Sequence, residues 1–93
     1  MTKEQLVSEI ADILGVASPP MSTGSTEPRA IFVLADERLG LNLQAHTKHG
    51  MAREIVELAG MPWLPAYGSR GATITKRGLQ AVLQAVQILA PED

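Results

Sequence analysis

The sequence predicts a mainly α-helical fold: a compact four-helix domain with two long loops and at most one or two very short strands. Three observations carry this. Apolar residues recur at three- and four-residue spacing in four separate stretches. A threonine precedes each stretch where a helix cap belongs, and a glycine or proline follows each. Apart from the apolar run at residues 30–35, patterns suited to extended backbone occur in two brief segments, residues 41–46 and 73–75.

The first helix is capped by Thr2, with Gln5 completing a capping box. Leu6, Val7, Ile10, Ile13 and Leu14 form its apolar stripe. Glu4 lies in the first turn, where the helix dipole favours an acid, and Gly15 ends the helix in a position that accepts left-handed backbone. Residues 16–25 carry two adjacent prolines among Ser, Thr and Gly, so they read as a surface connection, with a ligand loop or hinge as the competing reading. Thr26-Glu27-Pro28 then opens the second helix, Thr26 as cap and Pro28 in the first turn, where no intrahelical donor is lost. The run A-I-F-V-L-A would also suit a buried strand. The spacing of Ile31, Leu34, Ala35 and Leu39 favours helix, as does the ending D-E-R-L-G, with a cation near the last carbonyls and Gly40 beyond. Phe32, the only phenylalanine, is expected in the core.

Residues 41–46 form a connector in which Leu41 and Leu43 alternate with Asn42 and Gln44. Thr47 caps a third helix that runs to Ala59, with Met51, Ile55, Leu58 and Ala59 inward. Gly60 ends it and Pro62 forbids its resumption. Arg53 and Glu57 are an i,i+4 pair worth a few tenths of a kcal/mol, on the order of 0.3. The second long loop, residues 61–72, is unlike the first. It carries Trp63, Leu64 and Tyr67 and must fold back on the domain or present a surface. Thr75 caps the last helix, residues 76–90, with Leu79, Val82, Leu83, Val86 and Leu89 inward and Pro91 closing it.

Composition sets limits on what this fold can do. The chain is read as a single small helical domain over residues 1–93, complete or part of a longer protein. The absence of cysteine excludes a disulfide framework and any thiolate zinc site. The N-terminus lacks the apolar centre of a signal peptide, and no apolar run is long enough to span a membrane, so the expected location is cytoplasmic. The net charge is −2, unevenly spread. Residues 45–78 hold five cations (Lys48, Arg53, Arg70, Lys76, Arg77) against two acids, a net of +3, whereas residues 1–44 hold three cations against six acids, a net of −3.

Candidate chemistry concentrates in that basic half. His46 and His49 have a spacing that can ligate a metal, but only Glu54 and Glu57 are nearby partners, so no metal or cofactor is assigned. Glu54 and Glu57 lie one turn apart, which could pair two carboxylates; surface solvation explains them as well, and Arg53 neutralises one. With no nucleophile in a recognisable setting, no catalytic residue is assigned and the chain is expected not to be an enzyme. Gly68-Ser69-Arg70-Gly71 pairs flexible backbone with a guanidinium, which suits a phosphate or carboxylate, although a tight turn with a solvated Arg fits as well. Lys76 and Arg77 stand at a helix start, where the dipole is already positive, and Lys48 repeats the arrangement at the third helix. A bound anion would relieve both conflicts.

Two local resemblances join this reading. T-K-H-G-M-A-R-E-I-V-E-L-A-G, residues 47–60, resembles the second helix of SAP-type helix–extended–helix modules, which run Lys, then Leu three later, then Leu four later, then a closing Gly. Residues 32–41 would supply the first helix and residues 41–47 the extended link. Glu54 stands where that family usually has Arg, and Met51 replaces Leu. T-I-T-K-R-G-L-Q-A-V-L-Q-A, residues 73–85, is similar to the wing-to-helix segment of winged-helix regulators, L-T-x-x-G-x-x-x-L. Both families consist mostly of nucleic-acid binders, so the resemblance implies DNA as partner.

The expectation is therefore a small DNA-binding or specificity module, attached to a nuclease, methyltransferase or regulator. Lys48, Arg53, Arg70, Lys76 and Arg77 would contact phosphates, with His49 and Ser69 beside them. The alternative is a protein–protein interaction domain anchored by Trp63 and Tyr67. The two differ in what they need: a buried Trp63 with cations on one face for DNA, an exposed Trp63 with scattered cations for a protein partner. The metal assignment carries its own expectation. Zinc in slight excess should leave the melting temperature unchanged, because a ligand of the native state would raise it. A rise abolished by His46→Ala or His49→Ala would overturn that.

Overall fold

The computed structural model describes residues 2–17, 29–68 and 74–90. Within them the chain forms four helices, α1 (Lys3–Leu14), α2 (Arg29–Leu39), α3 (Lys48–Leu58) and α4 (Lys76–Leu89), with a 3₁₀ turn, Pro65–Tyr67, before the last. No strand occurs among the described residues. The expected cap of α2 at Thr26, Pro28, and Thr73 lie outside them, as do Ser69 and Arg70.

The helix starts follow the expected chemistry. The Thr2 hydroxyl accepts the Gln5 amide, and the Gln5 side chain accepts the Thr2 amide at 2.7 Å, a complete capping box. Thr47 and Thr75 accept the Gly50 and Gly78 amides in the same way. The ends share a second device. The Val16 amide donates to the Ala11 carbonyl and the Gly15 amide to that of Asp12. Met61 and Gly60 donate likewise to Val56 and Glu57. These paired bonds require left-handed backbone at Gly15 (φ 72°) and Gly60 (φ 80°).

The helices pack in a closed ring, α1 against α2 and α4, α3 against α2 and α4. Phe32, Leu6, Ile10, Ile31, Ile55, Ile74 and Leu79 are fully buried at its centre. Each such side chain contributes about 1.5–3 kcal/mol relative to leaving it in water. On α3 the buried stripe is Met51, Ala52, Ile55 and Val56. Leu58, expected inward, is instead 52% exposed, because the stripe follows the i, i+1, i+4, i+5 edge and turns residue 58 to solvent.

Charged side chains tie the ring together. Arg38 was expected to serve the last carbonyls of its own helix. It reaches across instead, donating to the Leu14 and Gly15 carbonyls at 3.2 Å each, and so caps the C-terminus of α1. Residues 41–46 are not a strand. Asn42 has φ 57°, and the Leu43 amide donates to the Asp36 carboxylate at 3.1 Å.

α4 meets the preceding loop at very short range. A Cβ on Gly78 would collide with the Tyr67 carbonyl oxygen, and it would lie 2.7 Å from Ile74 Cγ2. In an open helix, Gly→Ala gains about 1 kcal/mol. Here the sign reverses. Gly78→Ala should lower unfolding stability by about 1–3 kcal/mol, the cost of an over-filled site, read as a lower urea midpoint at unchanged slope. A midpoint that stays or rises would show that the loop does not press on α4.

Candidate functional site

The aromatic loop folds back on the domain and joins two helix starts. At one end, the His49 ring in the first turn of α3 meets the Trp63 ring edge-on, with centroids 5.4 Å apart. Trp63 meets Tyr67 at the same separation and in the same geometry. The Trp63 indole donates to the Gly68 carbonyl at 3.2 Å, which closes residues 63–68 on themselves. At the other end, the Thr75 amide donates to the Tyr67 carbonyl at 3.1 Å and the Thr75 hydroxyl to the Ala66 carbonyl at 2.6 Å. The first turns of α3 and α4 therefore stand on either side of one loop.

Lys48 and His49 open the helix that meets the loop at Trp63, and Lys76 and Arg77 open the helix whose cap bonds the loop at Ala66 and Tyr67. Lys76 and Arg77 are exposed, Lys48 and His49 half-buried. Neither helix has an acid in its first turn. Arg53 lies further along α3, held by Glu57 at 3.1 Å, with both side chains more than half exposed. Its charge is thus already balanced locally. Ser69 and Arg70 follow directly on Gly68 in the chain but lie outside the described residues.

Trp63 is half-buried and packs against the core, so it seals the fold instead of projecting from it. Among the described residues of the loop, the exposed large apolar side chain is Leu64, at 43%. Beside it runs an open groove of about 310 Å³, between Leu64 and Tyr67 on the loop and Arg77, Gln80, Ala81 and Gln84 on α4. Sequence reasoning assigned Gln80 and Gln84 no role. Their signal was available in the spacing, since residues 77, 80 and 84 share one helix face.

Glu54 is placed quite differently from a solvated acid. Its two carboxylate oxygens accept the Ala45 amide at 2.7 Å and the Gln44 amide at 3.0 Å, pinning the connector against α3. Glu57 pairs with Arg53, so the two acids serve separate partners. Among the described residues, no group of three or more His, Asp or Glu side chains gathers in a way that would hold a metal ion. No helix among them is long and apolar enough to cross a membrane.

No protein-family model, curated protein or solved structure matches the chain.

The placement of Glu54 leads to a direct test. Glu54→Ala leaves two amides without their acceptor and should cost about 1–3 kcal/mol of stability. Glu54→Gln keeps an acceptor oxygen and should cost less. Thermal unfolding of the two variants beside the parent checks this. Equal stability of all three would show that the connector is held by other contacts.

Proposed function

We propose that the chain is a small DNA-binding or specificity module, serving an attached nuclease, methyltransferase or regulator, and that it contacts phosphates through the basic rim around the aromatic loop. The observation that carries the reading is the start of α4. Two exposed cations, Lys76 and Arg77, occupy a first turn that holds no acid, at the positive end of the helix dipole. Lys48, half-buried, begins α3, whose first turn likewise holds no acid. An anion there would meet both the cations and the helix dipoles, and the phosphates of a duplex provide a row of such anions. His49, held against Trp63, would sit beside Lys48. Ser69 and Arg70, next in the chain after Gly68, are proposed as further phosphate contacts. Arg53, paired with Glu57, would contribute at its edge.

Several of the acids behind the negative total charge are engaged elsewhere among the described residues. Asp36 and Glu54 hold the connector, Glu57 faces Arg53, and Glu4, Glu9 and Asp12 lie on α1. α4 carries none. A protein-interaction module remains the second reading, favoured by Leu64 exposed at the lip of the groove. Its anchors would be Leu64 and Tyr67, since the Trp63 indole is engaged within the loop.

Salt titration of duplex binding separates the two. With about three to five phosphates neutralised, log K falls by about 0.9 per contact, so a tenfold rise in salt should weaken binding roughly 500-fold or more. Replacing Lys76 and Arg77 together by Ala should reduce affinity and slope without lowering stability, because it removes positive charge from a positive helix end. Undetectable binding at low salt, or a double variant that binds as the parent does, would reject DNA in favour of a protein partner.

A further inference from the structure

The outer face of α4 is built differently from every other exposed helix face in the molecule. Lys76, Arg77, Gln80, Gln84, Gln87 and Ile88 are all exposed, and 77, 80, 84 and 87 follow one another at three- and four-residue spacing, with 76 and 88 adjoining the ends. The face holds no acid. Its cations are confined to the N-terminal end, and three amide side chains follow along the same side. Exposed faces of α1 and α3, by contrast, carry Glu4, Glu9 and Asp12, and Arg53 with Glu57. Among the described residues no side-chain hydrogen bond or ion pair engages Arg77, Gln80, Gln84 or Gln87, so their polar groups face solvent.

Solubility alone is served by any polar residue, and Lys or Glu would serve it at equal helix propensity. A row of glutamines offers something else, because each amide presents a donor and an acceptor together. That pairing matches the N6 donor and N7 acceptor of adenine in the major groove. The cations at one end match the phosphate wall that any helix entering the groove must pass. The inner face supports such an entry. Gly78, Ala81 and Ala85 are buried small residues that draw the helix close to the domain, while Gln80, Gln84 and Gln87 on its outer side are exposed among the described residues. From Arg77 to Gln84 the helix rises about 10 Å, close to three base-pair steps of roughly 3.4 Å.

We infer that α4 lies in the major groove of duplex DNA and reads base edges through Gln80 and Gln84, with Lys76 and Arg77 against the flanking phosphates. This rests on the DNA reading proposed above and deepens it from phosphate contact to sequence recognition. Leu64, exposed beside the same face, would then lie at the groove edge, where an apolar side chain can meet a thymine methyl group.

The test is selection from a pool of duplexes with a randomised centre, performed with the parent chain and with Gln80→Ala, Gln84→Ala and the double variant. Both positions are exposed and Ala favours helix, so these variants should fold, with circular dichroism as the check. The parent should enrich a motif containing adenine. Each single variant should relax one position of it, by about 5- to 150-fold for a lost bidentate pair. Binding to the unselected pool, and its salt slope, should stay at the parent's level. Replacing the enriched adenines by 7-deazaadenine, which removes only the N7 acceptor, should weaken the parent and leave the double variant unaffected. The inference is overturned if the parent binds the pool but enriches nothing, or if the motif survives the double substitution. In both cases salt-dependent binding through Lys76 and Arg77 would still stand. If the parent binds no duplex at all, the DNA reading fails and this inference fails with it.

Discussion

The Thr75 hydroxyl accepts the Gly78 amide at 3.2 Å and donates to the Ala66 carbonyl at 2.6 Å. One group thus caps α4 and holds the aromatic loop, and the Thr75 amide adds a third bond, to the Tyr67 carbonyl. The approach is possible because residue 78 has no Cβ. Everything at the candidate site depends on this junction. It fixes the loop on which Trp63 and Tyr67 stack, and Trp63 in turn meets His49 at the start of α3. The first turns of two helices that are far apart in sequence are thereby held around one loop.

A second constraint explains why net charge is a poor guide to this molecule. Several charged groups are occupied in holding the backbone. Arg38 caps the end of α1, Asp36 and Glu54 accept three amides of the connector, and Arg53 and Glu57 face one another. A carboxylate accepting backbone amides serves as a structural ligand, and its charge is partly satisfied where it stands. Lys76 and Arg77 have no such task among the described residues. The useful quantity is the charge left over once these internal duties are assigned, and among the described residues Lys76 and Arg77 belong to that remainder.

The helices were legible because their signals are local. A capping threonine, a period of three to four and a closing glycine all lie within a few residues of one another, and α1, α3 and α4 start where Thr2, Thr47 and Thr75 indicate. The ambiguity at Ile31, Phe32 and Val33 was settled by spacing, and the segment is helical. Long-range duties were not legible. Nothing within α2 indicates that Arg38 serves α1, 24 residues away from Leu14. Nothing near Glu54 separates a connector clamp from a surface acid until the chain has folded back. Leu58 was misplaced for a related reason, since periodicity identifies a stripe but not the edge that the neighbouring helix covers. Of the site, the cations and the aromatic loop could be picked out singly, whereas their arrangement around one loop is a product of tertiary packing.

The same distinction bears on the start of α4. Two cations in a first turn oppose the helix dipole, at a cost of about 0.3–1 kcal/mol each in low salt. The Thr75 cap, worth about 1 kcal/mol, offsets much of this but leaves the charges in place. α1 also opens on a lysine, Lys3, but follows it with Glu4 in the first turn beside a complete capping box. The chain can therefore set an acid beside a cation at a helix start. At α4 it sets two exposed cations at the head of an acid-free face that continues through Gln80 and Gln84. Under the proposed reading, contact with an anionic partner would account for that choice, because charges that oppose the dipole of the free helix would become favourable once phosphates stood against them.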